Sequence, residues 1–247
     1  MKTLLWAERM KLRRSKIIWI ALFSAVMVSV IVYMQGQFLF QGHRYVDEAG
    51  WLMTATQSLG SIYVLPAIIA LMGSYMICRE EQDDTMKSLR LIPVKPSRLV
   101  GAKLVLTASM SVLLYAFLFI ITFSTEATLH FSLLKSVAVL NFLKIYLLQG
   151  ICLFFAMSPI IAIVAVLKKG YWIALIFAEV YSFAGLFVGM QNTARFIYPV
   201  TAAFCVSGYY ESTLPQMMTS ILSLFICACL SLLILDRLNK KYNLNLI

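Results

Sequence analysis

The sequence predicts an all-α, polytopic membrane protein with six transmembrane helices. Three observations carry that prediction. The 247 residues are 61% hydrophobic and only 13% charged, where an ordinary soluble domain carries about 25% charged residues. The apolar residues gather in runs long enough to cross a hydrocarbon core of about 30 Å. The charges gather in blocks between those runs, so the chain reads as one membrane domain over residues 1–247 with no soluble domain beside it.

The net charge of +10 belongs to residues flanking apolar spans. There it sets topology and meets anionic headgroups, and nucleic-acid binding is not expected. Five cysteines, at 78, 152, 205, 227 and 229, show neither zinc spacing nor a paired framework. Cys227 and Cys229 read as small apolar packing residues.

In chain order, residues 1–16 carry six basic residues and one acid, Glu8. Leu4, Leu5, Trp6, Met10 and Leu12 form one face of a short helix suited to the membrane interface. A basic topogenic flank with no further role is the alternative. The first span is 17–34. No small-x-small cleavage site follows Tyr33, so it is expected to be retained. Residues 35–54 read as an outside loop. The second span, about 58–78, contains Pro66, a kink. The third span is 104–123, and the partly apolar stretch 124–143 follows with Glu126, His130 and Lys135. The fourth span, about 145–167, contains Pro159. Lys168-Lys169-Gly170 turns directly into the fifth span, 171–190. Residues 191–216 are rich in aromatic and small residues and hold only Arg195 and Glu211 as formal charges. Pro199, Gly208 and Pro215 break them, so a re-entrant or interfacial pair of short helices fits best. The sixth span is about 217–235. Seventeen of the 21 Lys and Arg residues fall on the side of both termini and four on the other, which places both termini in the cytoplasm.

Residues 79–103 hold ten of the 32 charged residues. Glu80, Glu81, Asp83 and Asp84 begin a helical stretch, where acids favour the helix dipole. Lys87 and Arg90 follow at helical spacings, and Met86, Leu89 and Leu91 supply an apolar face. Pro93 and Pro96 break the helix. Ser97 then caps a new one that runs through Lys103 into the third span. A rigid knob under the membrane is the expectation. A charged connector obeying the positive-inside rule is the plainer reading.

Catalytic signatures are absent from the sequence. There is no Gly-x-x-x-x-Gly-Lys-Ser/Thr, no His-Glu-x-x-His and no Gly-x-Ser-x-Gly. His43 and His130 have no ligands at metal spacing. No catalytic, cofactor-binding or metal residue is expected.

The acids after the second span, then Thr85-Met86-Lys87-Ser88-Leu89, Ile92-Pro93-Val94, Ser97-Arg98 and Gly101-Ala102-Lys103, resemble the cytoplasmic segment of ABC-2 type transporter permeases. Asp84 stands where that family often has Gly, and Lys95-Pro96 is inserted near the Ser-Arg pair. Ala7-Glu8 with Lys11-Leu12-Arg13-Arg14-Ser15-Lys16 resembles the start of the lantibiotic-immunity and bacitracin-export permeases. The resemblance implies a permease subunit that binds no cofactor itself. ATP and Mg would be bound by a separate ABC ATPase, present in two copies. A second permease chain, identical or similar, would complete the membrane part. The segment after the second span would be the coupling helix, with Glu80, Glu81, Asp83, Asp84, Thr85, Lys87, Leu89, Pro93 and Arg98 as contact candidates. The implied cargo is an antimicrobial peptide of lantibiotic or bacitracin kind, exported from the bacterial cell membrane. Another cargo (a lipid, drug or ion), or a non-transport scaffold or sensor subunit, are the rival readings.

Glu179 is the one formal charge deep in a span. It is read either as a substrate or gating contact or as a buried hydrogen-bonding group satisfied by Tyr181, Ser182 or a neighbour, with Gln149 as a candidate partner. Tyr198 and Tyr209 are candidates for touching an amphipathic cargo, although aromatic residues of such segments more often anchor in the interface.

Overall fold

In a computed structural model of the chain, residues 2–40, 42–82, 96–167, 170–191 and 193–244 are described. The fold is almost wholly helical. A short amphipathic helix, α1 (Lys2–Arg13), leads into α2 (Ile17–Gly36), twenty residues without a charge. A two-residue hairpin follows, β1 (Leu39–Phe40) against β2 (His43–Arg44), with Phe40 opposite His43 and Gly42 at φ 86° in the turn.

The second helical stretch begins earlier than its hydropathy suggests. α3 (Trp51–Leu59), a π-helical turn (Gly60–Val64) and α4 (Leu65–Gln82) run on from one another. The π turn lies just before Pro66. A proline lacks the N–H that would continue the ladder, and a wider turn absorbs the misfit. α5 (Pro96–His130) and α6 (Ser136–Leu167) extend well past the expected spans, so Glu126 and His130 are helical rather than in a loop. α7 (Ile173–Gly189), a 3-10 turn (Ala194–Phe196), α8 (Pro199–Ser207) and α9 (Leu214–Leu244) complete the chain.

Among the described residues, five helical stretches are long and apolar enough to cross a membrane: Ile17–Gly36, Trp51–Glu80, Arg98–His130, Ser136–Leu167 and Leu214–Arg237. The expected fifth span, 171–190, corresponds to α7, which is apolar but has 17 residues, short of the roughly 20 that span a bilayer upright.

α6 is the hub and packs against α4, α5, α8 and α9. Small residues let the helices approach. A Cβ on Gly73 of α4 would lie 2.4 Å from Ile161 Cδ1 of α6, and one on Gly150 of α6 would lie 3.2 Å from the Ser111 carbonyl of α5. Hydroxyls bridge the same helices: Ser111 donates to the Gly150 carbonyl at 2.7 Å, and Tyr146 donates to the Met53 carbonyl at 2.5 Å. Pro159 stays inside α6 without ending it. The Phe155 carbonyl it leaves without its helical donor accepts the Ser158 hydroxyl at 2.8 Å, a common way of satisfying such a group within a membrane helix.

Candidate functional site

At the end of the bundle where α1, the C-terminal end of α4 and the start of α5 meet, four charged side chains form a chain of ion pairs. Glu80 Oε2 accepts from Lys103 Nζ at 2.5 Å, and Glu80 Oε1 accepts from Lys11 Nζ at 2.6 Å. Lys11 also pairs with Glu8 at 2.8 Å. The Lys103 and Glu80 side chains are only 3% and 6% exposed. A charge buried that deeply costs several kcal/mol unless it is paired and hydrogen-bonded. Here each charge is paired, so the three helices are locked through their charges.

Local sequence explains how the clasp assembles. Lys103 and Thr107 lie one turn apart on α5, and Thr107 hydroxyl bonds back to the Lys103 carbonyl at 2.9 Å. Glu8 and Leu12, one turn apart on α1, are both 3% exposed and face the bundle. Arg79 lies over the Tyr75 ring at 5.3 Å. Burial lowers the Lys11 pKa, but hydrogen bonds and charge from Glu8 and Glu80 outweigh it and hold the ammonium above its ordinary value.

Glu80 and Lys103 bracket the charged segment of the sequence. Of the residues expected to contact an ATPase, Glu80 lies in the clasp. Arg98 is exposed on the first turn of α5. Glu81 belongs to α4, its side chain not among those described. Asp83, Asp84, Thr85, Lys87, Leu89 and Pro93 lie outside the described residues. The clasp partners Glu8, Lys11 and Lys103 were not singled out as site residues from sequence. The pairs span 69 and 23 positions of chain, and no local spacing announces them.

The other candidates do not gather into one site. Glu179 is half-buried on α7, between Ile176 and Val180, which are 64% and 66% exposed. Among the described residues its carboxylate has no hydrogen bond or ion pair. The expected partners do not serve. Ser182 Oγ and both amide atoms of Gln149 are buried without a hydrogen bond, because Gln149 faces the interior of the bundle at 0% exposure while Glu179 sits at the edge of an outward face. Tyr198 is a staple: its hydroxyl donates to the Tyr181 carbonyl at 2.5 Å, and its ring lies 5.1 Å from that of Tyr181. Tyr209 packs on Phe204 and Tyr210, each 5.2 Å between ring centres. Among the described residues no three His, Cys, Asp or Glu side chains gather as a metal site.

The family model of ABC-2 family transporter proteins matches residues 4–185. That stretch runs from α1 through most of α7 and contains every member of the clasp. The bacitracin transport permease protein BCRB of Bacillus licheniformis is 32% identical over 124 residues, covering 50% of this chain and 59% of that protein. The chain thus matches rather more than half the length of this curated relative. With several apolar helices long enough to cross a bilayer and a family match over well more than half its length, this multi-pass membrane protein belongs to the ABC-2 family of transporter proteins.

Proposed function

We propose that this chain is the transmembrane permease subunit of an ATP-driven exporter, and that residues 79–103 are the element through which a separate ATPase moves it. The observation that carries this reading is the clasp. A force applied to a loop between two helices moves them only if the loop's base is stiff. Glu80 and Lys103 join the two ends of that base by a buried ion pair, and Lys11 ties α1 to the same point. A force delivered to the charged segment would then reach α4, α5 and α1 together. The chain shows no P-loop, so ATP and Mg belong to the partner, in two copies, with a second permease chain completing the membrane part. Both termini are cytoplasmic in this arrangement, in keeping with the distribution of Lys and Arg.

The cargo we propose is an antimicrobial peptide of bacitracin or lantibiotic kind, with the bacitracin permease relative as support. Glu179 faces water or protein in the assembled transporter, or else is protonated, because an ionised acid against lipid costs several kcal/mol.

Charge reversal of Asp83 and Asp84 together tests the coupling role. The ATPase should no longer copurify while the permease still inserts and folds; undiminished copurification rules the segment out as the docking element. Glu179→Gln should lower transport of a bacitracin-like peptide with assembly unchanged. Full transport by that variant would remove Glu179 from the pathway.

A further inference from the structure

Arg195 lies in the 3-10 turn between α7 and α8, at the end of the bundle away from the clasp. Its guanidinium lies over the Phe196 ring at 4.9 Å and near the Tyr210 ring at 5.9 Å. Its Nε is buried without a hydrogen-bond partner, and no carboxylate pairs with it among the described residues. Glu211, the one acid in 191–216, is exposed. Rings against the faces of a guanidinium orient it and leave its edge as the recognition surface. That edge matches phosphate in a bidentate fashion.

A groove begins beside this turn. Ser220 donates to the Phe196 carbonyl at 3.0 Å and Ser223 to the Ile197 carbonyl at 2.5 Å, so the Arg195 turn is stapled to the first turns of α9. There the groove opens between α9 and α6. It consists of two cavities of about 300 Å³ each, which share Phe155 and Ala228. Leu148 and Ile151 of α6 line one end with Leu224 of α9, and Leu232 lines the other. The two hydroxyls on its wall are taken up by backbone: Ser158 bonds the Phe155 and Cys227 carbonyls, and Ser231 bonds the Ala228 carbonyl. From Ile221 to Leu232 the groove follows α9 for about 16 Å, at 1.5 Å per residue. Those volumes spread over that length admit a hydrocarbon chain, not a helix about 10 to 12 Å across.

We propose that this groove is a binding site for an anionic phospholipid, with the Arg195 guanidinium on the phosphate and one acyl chain between α6 and α9. The site needs no ATPase and no nucleotide, so it stands or falls apart from the transporter reading.

Native mass spectrometry of the delipidated full chain in detergent tests it, with phosphatidylglycerol and diacylglycerol, which lacks the phosphate, as probes at equal concentration. Phosphatidylglycerol should be retained roughly tenfold better, the factor a charge-assisted contact supplies. Arg195→Gln should reduce it to the diacylglycerol level. Ala228→Phe, which fills the middle of the groove, should weaken both lipids. If Arg195→Gln folds poorly, Arg195→Lys replaces it, and a partial loss of preference is then expected. Equal retention of the two lipids by the unmodified chain overturns the proposal, as does a preference left undiminished by Arg195→Gln or by Arg195→Lys. Inorganic phosphate that displaces phosphatidylglycerol completely, with Ala228→Phe harmless, shows a free-anion site and overturns the acyl-chain half. Crosslinking between Ala228→Cys chains whose native cysteines have been replaced, in the absence of lipid, shows a second copy on the groove and overturns it as well.

Discussion

Lys103 lies at 2% exposure, and its ion-pair partner Glu80 is nearly as deep. Lys103→Met takes away one of the buried partners of the Glu80 carboxylate. A loss of about 3–5 kcal/mol is expected, the usual cost of breaking a buried pair from one side. The paired change Glu80→Met with Lys103→Met should recover most of it, because apolar groups of similar volume replace buried ion pairs at little cost. Thermal unfolding in detergent measures both; a single variant as stable as the unmodified chain would mean that the clasp holds nothing. Glu80 and Lys103 were each visible as charges near apolar runs. Their pairing was not, since the two lie 23 positions apart.

At the scale of elements, glycines set how closely helices pack, and two of them predict different outcomes. Gly150→Ala places its Cβ 3.1 Å from Val112 Cα and 3.2 Å from the Ser111 carbonyl. Backbone does not yield, so α5 and α6 must separate, and the Ser111 hydroxyl loses its hold on the Gly150 carbonyl. The three atoms nearest the new Cβ in Gly73→Ala all belong to the Ile161 side chain. Overpacking typically costs about 1–3 kcal/mol, and Ile161→Ala should relieve it at Gly73, whereas no single side-chain truncation relieves Gly150. The apparent unfolding temperatures of the two glycine variants, with and without Ile161→Ala, distinguish the cases. Helix ends were the least legible feature at this scale. Glu126 and His130 look like loop residues by composition, yet α5 continues through both. Glu126 accepts the Gly50 N–H at 2.7 Å and pairs with His130 at 3.0 Å, so tertiary partners pay for burying the acid.

The whole molecule is asymmetric in what it covers. The Trp51–Glu80 and Ser136–Leu167 helical stretches are buried over 72% and 67% of their apolar windows, whereas Ile17–Gly36 and Leu214–Arg237 are buried over 33% and 28%. The latter two therefore offer apolar surface to lipid or to another chain. The end that carries α1 and the clasp is the cytoplasmic one in the proposed orientation. A cysteine placed at Thr3 should react with a membrane-impermeant thiol reagent only after the cells are opened. One placed at Ser136 should react in intact cells. Labelling of both positions from the same side would refute an orientation in which α1 and the start of α6 lie across the membrane from each other.

Composition and run length alone determined that this chain is a helical, multi-pass membrane protein. Hydrocarbon leaves backbone groups no water to bond, so long apolar runs can only become helices. Motifs at short range likewise marked the charged segment and the family it resembles. Tertiary structure decided what is joined over distance: Lys11 with Glu80, Ser61 with Tyr115 at 2.6 Å, and the Arg195 turn with the head of a groove between α6 and α9. It also separated Gln149 from Glu179. Hydropathy records how much surface a helix must hide, but not which face it turns to which neighbour, and buried charge pairs and grooves exist only once that choice has been made.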